Sequence, residues 1–131
     1  MVKKLLKGCK FNIYLVVITA DSTAEEIAPI ALAIHELCGL PVTMRTKNKK
    51  GVRVENHQVI DYNYTGPVLE EVLEKGVVIR KIPDSGPYKG IPVVVVPVKI
   101  KGETVAAIGI IDETYGIFSE APMIGRRRPK L

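Results

Sequence analysis

Apolar positions along the chain change their period several times, and each change marks an element. Phe11–Thr19 is a run of apolar and β-branched residues of strand length. Asp21-Ser22-Thr23 then offers helix caps, and Ser22 with Glu25 fits a capping box. Ile27, Ile30, Ala31, Ile34, Leu37 and Cys38 follow at helical spacing and predict one buried stripe, closed by Gly39. Pro29 inside this span should kink the helix or shift its start to Pro29. Leu32 falls on the opposite side, between Glu25 and Glu36.

Beyond Gly39 the spacing shortens. Leu40–Arg45 reads as a strand, and Lys47-Asn48-Lys49-Lys50-Gly51 as a polar turn closed by glycine. Val52–Glu55 and Val59–Tyr62 are two further strands around an Asn56-His57 turn. A second helix is capped by Thr65, with Pro67 in its first turn. Val68, Leu69, Val72 and Leu73 form its buried stripe, and Lys75-Gly76 closes it. Val77–Ile82 is a strand, and Pro83–Gly90 a loop.

The densest apolar stretch is Ile91–Asp112, two strands around Lys101-Gly102. That turn pairs Ile100 with Glu103, Val98 with Val105, Val96 with Ala107 and Val94 with Gly109. Val95 then faces Ile108, and Val93 faces Ile110. Both faces are apolar, whereas an antiparallel sheet usually wets one. With two helices on one face, the other should meet the N-terminal segment, a ligand or a second subunit. Pro97 marks a bulge or an unpaired stretch. Ala107 and Gly109 are small, which suits close helix packing or the floor of a pocket.

No βαβ rhythm is present, so the expected class is α+β: a mainly antiparallel sheet of five to six strands with two helices. The segments are an N-terminal strand or extension over 1–20, a single domain over 21–118 and a basic tail over 119–131. The doubly apolar hairpin and the outward Leu32 point to a homodimer.

Composition narrows the class of job. In 131 residues, 47% are apolar and 25% charged, which is a globular composition with one core. The net charge of +5 concentrates at Lys3, Lys4, Lys7 and Lys10, at Lys47, Lys49 and Lys50, and at Arg126–Arg128 with Lys130. Basic ends are usually solvated tails. No helix-turn-helix, zinc finger or stacking motif accompanies them, which argues against nucleic acid. Cys9 and Cys38 make no disulfide framework and suit a reducing, cytoplasmic compartment. Ile13–Ala20 after three lysines has the length of a signal-peptide core, but no small-residue cleavage site follows cleanly. The run is too short to cross a bilayer.

The order helix, strands, helix and three-strand meander resembles the PAS/Cache-like sensor fold. In extracytoplasmic dicarboxylate and citrate sensors a similar last hairpin carries residues matching Pro97, Val98, Gly102, Ile108 and Gly109. GAF and profilin-like domains carry comparable hairpins. Three segments also resemble an uncharacterised domain family of methanogenic archaea: STAEEIAPIALAIHELCGLPVTMRTKNKKGVRVE, VIDYNYTGPVLEEVL and GPYKGIPVVVVPVKIKGETVAAIGIID. They span roughly residues 22–118. This second resemblance implies an archaeal, cytoplasmic protein and names no ligand. The first implies a ligand held against the sheet beneath the loop that contains Tyr88 and Lys89.

The chemistry-bearing residues are weighed against these expectations. Cys9, His35, Cys38 and His57 match no zinc spacing, so no metal is expected. A Cys–His pair needs an accessible thiol, and Cys38 sits on the predicted core stripe. Asp61, Asp112 and Glu113 read as solvated acids at strand ends, and no phosphate loop or nucleophile elbow is present. The expected protein is therefore not an enzyme and carries no cofactor. Arg45, Arg53, Arg80 and Lys89 with Tyr62, Tyr64 and Tyr88 are the ligand-contact candidates, over a floor of Ala107 and Gly109. The leading expectation is a small-molecule-binding, sensor-like regulatory domain with a small anionic ligand. The alternative is a protein–protein interaction or scaffold module without a pocket.

Overall fold

The computed structural model describes residues 17–114. The basic ends, Cys9 and most of the Phe11–Thr19 segment lie outside them; Val17–Thr19 are not part of a strand. The elements are α1 (Ala24–Cys38), β1 (Val42–Thr46), β2 (Gly51–Glu55), β3 (Gln58–Tyr64), α2 (Pro67–Lys75), β4 (Ile79–Lys81), β5 (Val93–Ile100) and β6 (Glu103–Ile111). The strands form one six-stranded antiparallel sheet in the order β3-β2-β1-β6-β5-β4. The α+β class and the antiparallel sheet agree with the sequence pattern.

The start of α1 lies one residue later than expected. Thr23 is the cap: its side chain accepts from Glu26 N, and the Glu26 carboxylate accepts from Thr23 N at 2.8 Å. Ser22 is buried instead and donates to Val17 O, while its own carbonyl accepts from Thr46 Oγ1 at 2.6 Å. The helix runs through Pro29 from a start at Ala24. Pro29 and Glu25 are both exposed, so water can reach the Glu25 carbonyl that loses its donor.

The buried stripe of α1 is rotated from the expected one. Ala24, Ile27, Ala28, Ala31 and His35 are buried, while Leu37 is 87% exposed and Cys38 is exposed. Small alanines let the helix approach Val42, Met44, Val52 and Val54 closely. Leu32 and Ile34 flank this core, so Leu32 is not an outward residue available to a second subunit.

The two helices lie on opposite faces of the sheet. Ala106 packs in the α1 cluster and its neighbour Ala107 in the α2 cluster, and successive strand residues face opposite ways. Val68, Leu69, Val72 and Leu73 of α2 cover Val93, Val95 and Ala107. The hairpin is apolar on both faces because each face receives its own helix, not because both helices share one.

The β5–β6 register also departs from simple alternation. Lys101 and Gly102 form the turn with φ 52° and 83°, and Ile100 opposes Glu103. Lys99 then opposes Thr104, but Val98 opposes Ala106, so Val105 is the extra residue of a bulge. The Val105 carbonyl accepts from Lys47 N at 2.9 Å, which holds the bulge against the end of β1. Beyond it the register is shifted by one: Val95 opposes Gly109, and Val93 opposes Ile111. Thr43 of β1 opposes Gly109 from the other side. This shift builds the cleft described next. The strand expected at Val77–Ile82 shrinks to Ile79–Lys81, and Val77, Val78 and Ile82 are exposed.

Candidate ligand-binding cleft

Glycine at 109 brings three strands together without a side chain between them. A Cβ built there would lie 2.9 Å from Val95 Cγ2 and 3.0 Å from Thr43 Oγ1. The Thr43 hydroxyl therefore lies across the glycine on the α2 side of the sheet. The first turn of α2 lies above, Tyr64 and Tyr88 stand at the sides, and Pro83 and Ser85 come from the β4–β5 loop. Together they line a half-open cleft with about 30 Å³ of space for water-sized occupants. That is room for roughly two waters.

The polar groups of this cleft are under-used. Thr43 is 8% exposed and Tyr64 6% exposed, yet neither hydroxyl has a hydrogen-bond partner among the described residues. Neither is sealed off: no buried side-chain polar atom among the described residues is both solvent-free and unpaired. A Cβ on Gly66 would lie 2.9 Å from Tyr64 Oη, so that hydroxyl sits at the start of α2. Gly66 is the helix cap and supplies no side chain, contrary to the expected Thr65 cap. Pro67 has no N–H, and the N–H groups of Val68 and Leu69 have no acceptor among the described residues. Burial pushes the Tyr64 phenol above its ordinary pKa, so it stays protonated and able to donate near neutral pH.

One wall is held by a three-residue latch. Tyr88 Oη donates to Glu55 Oε2 at 2.6 Å, and Arg53 Nε donates to Tyr88 Oη at 3.2 Å. Arg53 NH2 pairs with the same Glu55 oxygen at 3.0 Å, and the guanidinium lies 5.2 Å from the Tyr88 ring centre. The Tyr88 bond holds the Glu55 carboxyl below the usual range against the opposing effect of burial, and Arg53 adds to it. Burial, then the Glu55 carboxylate, pushes the Tyr88 phenol well up. Burial opposes the charge on Arg53, but its bonds to Tyr88 and Glu55 win and raise its pKa.

The expected contact residues thus separate into groups. Tyr64, Tyr88 and Gly109 line the cleft. Arg53 reaches it only through Tyr88. Arg45 is tied to Thr46 O, Lys47 O and Thr65 Oγ1, with Glu70 at 3.7 Å. Arg80 pairs at 3.0 Å with Asp112, whose carboxylate also accepts from Thr114. Tyr62 and Lys89 are exposed away from it, and Ala107 is buried under α2. Thr43, Glu55 and the uncapped turn of α2 were not among the expected residues. Gly66-Pro67 is the sequence signal for the last, since it places a side-chain-free cap before a residue without an N–H.

A second cluster is His35, Glu36 and His57, whose ligand atoms lie within 4.8 Å of one another. His35 is buried on α1, and both its ring nitrogens are engaged. Nδ1 lies 2.6 Å from Leu40 O, and Nε2 accepts from His57 N at 3.0 Å. This assigns the proton to Nδ1 and uses the only lone pair that could hold a metal. The ring is a brace joining the end of α1, the following loop and the β2–β3 turn.

Among the described residues no helix is long and apolar enough to cross a membrane. No solved structure matches the chain. An uncharacterized protein of Methanocaldococcus jannaschii is 48% identical over 114 residues, covering 86% of this chain and 87% of that protein. Residues 34–114, from the last turn of α1 through the whole sheet and cleft, match the family described as uncharacterized proteins conserved in archaea (DUF2111). The chain belongs to this archaeal family.

Proposed function

We propose that this chain is a non-enzymatic regulatory domain that binds a small molecule between α2 and the sheet. The observation that carries this reading is the pair of hydroxyls, Thr43 and Tyr64, that line one largely apolar cleft without a protein partner among the described residues. An apolar cleft with a few polar groups is the usual make-up of a small-molecule site, and both hydroxyls are free to bond a ligand in place of water. The residues lining the cleft include no carboxylate, histidine, cysteine or lysine, which favours binding over catalysis. The sensor-like, PAS/Cache-related character rests on the meander and on the position of Tyr88 in a loop over the sheet.

A homodimer and a cytoplasmic setting belong to the same proposal. α1 packs over β1, β2 and β3. It leaves Val96 exposed and Val94 half-buried on the same face of β5, where a second copy can cover them. Light scattering after size exclusion tests this, and a monomer at micromolar concentration would sink it.

The function itself is tested by a thermal-shift screen of small carboxylates, nucleotides and coenzymes. A compound at 100 times its dissociation constant adds about 2.7 kcal/mol of stability. No shift with any compound would favour an interaction module without a ligand.

A further inference from the structure

The donors of the cleft point to a chemical class of ligand, on the premise that the cleft binds a small molecule at all. We infer that it takes a small monocarboxylate with a short apolar tail, its head group at the first turn of α2. The N–H groups of Val68 and Leu69 can only donate, and they have no acceptor among the described residues. Tyr64 Oη lies against Gly66 at the start of the same helix, and Thr43, whose hydroxyl lies against Gly109, lines the same cleft. A carboxylate has two oxygens that only accept and four lone-pair sites, which matches two N–H donors and two hydroxyls. The positive end of the helix dipole favours the negative charge.

Three further observations narrow the class. The whole cleft has room for roughly two waters, enough for a small head group and far less than a nucleotide needs. No basic side chain lines the cleft, so the helix terminus and hydroxyls carry the recognition. Val93, Val95 and Ile111 supply an apolar path with no second donor cluster, which disfavours a dicarboxylate.

The test uses the full chain with butyrate, butyramide and 1-butanol as probes, read by calorimetric titration and by amide NMR shifts. Butyrate should bind at least about ten-fold more tightly than the other two, the worth of one charge-assisted hydrogen bond. The Val68 and Leu69 amide protons should move on binding. Tyr64→Phe, checked for an unchanged melting curve, should weaken butyrate about ten-fold and leave butanol unaffected. Equal binding of all three probes at those amides would overturn the carboxylate head and leave the binding cleft standing. Butyrate binding that moves other amides, or no butyrate binding while another compound enters the cleft, would also overturn it. If no compound perturbs Val68 or Leu69, the cleft reading falls as well.

Discussion

Replacing Tyr88 by Phe removes one hydroxyl from the latch and tests whether it holds the cleft wall. The lost bond is the 2.6 Å donation to the Glu55 carboxylate. A hydrogen bond to a charged group contributes about 1.5–3 kcal/mol. The Glu55 side chain is 25% exposed and keeps its 3.0 Å pair with Arg53, so water and Arg53 compensate in part. The expected loss at pH 7 is therefore about 1–2 kcal/mol, or roughly 4–8 °C in melting temperature for a chain of this size. The acid side gives a second handle. The Glu55 carboxyl is lowered in the folded state, so its contribution is complete above the unfolded carboxylate range. It is lost as pH falls through that range and below. Tyr88 is raised, so its contribution is present below about pH 10 and fades above it. Urea unfolding at pH 7 and pH 3, with Glu55→Gln and the double variant, completes a cycle. Wild type and Tyr88→Phe should differ most near neutrality and converge in acid. A Tyr88→Phe effect under about 0.3 kcal/mol at pH 7, or one unchanged at pH 3, would refute the latch.

Other parts of the structure give sharp expectations. Gly51→Ala should cost about 3 kcal/mol or more in thermal unfolding, because its Cβ would overlap the Met44 carbonyl and lie 2.6 Å from Arg45 Cα. His35→Leu should cost about 2–4 kcal/mol in urea, by stranding Leu40 O and His57 N; a loss under about 1 kcal/mol would show that the brace is dispensable. Thr23→Ala should cost about 1 kcal/mol through loss of the α1 cap, measured by thermal melting. Glu71, held down to about 2 by Lys75 and then Lys81, should add an acid-sensitive tether between α2 and β4. That tether is intact above the ordinary carboxylate range and lost as pH falls toward about 2, so Glu71→Gln should flatten the acid limb of stability.

The long hairpin was legible because apolar runs and a Lys-Gly turn leave few alternatives. Its register was not, since alternation alone cannot show that Val105 is an extra residue held by Lys47. The same limit hid the cleft. Gly109 stood out as small, but its apposition to Thr43 and Val95 depends on the bulge and on the pairing of β1 with β6. The stripe of α1 was misplaced because His35 reads as polar and Cys38 as apolar. Burial followed the alanines and the two backbone partners of His35 instead. The arginines looked like ligand contacts by type, yet Arg45, Arg53 and Arg80 are spent on local partners that lie far apart in sequence.

The most direct test of ligand binding under α2 is an amide NMR titration with the compound that stabilises the protein most in the thermal screen. The largest shifts should fall on Thr43, Gly66, Val68, Leu69, Val95 and Gly109, and should saturate with one ligand per chain. Shifts centred instead on α1, or scattered over the sheet edges without saturation, would contradict it.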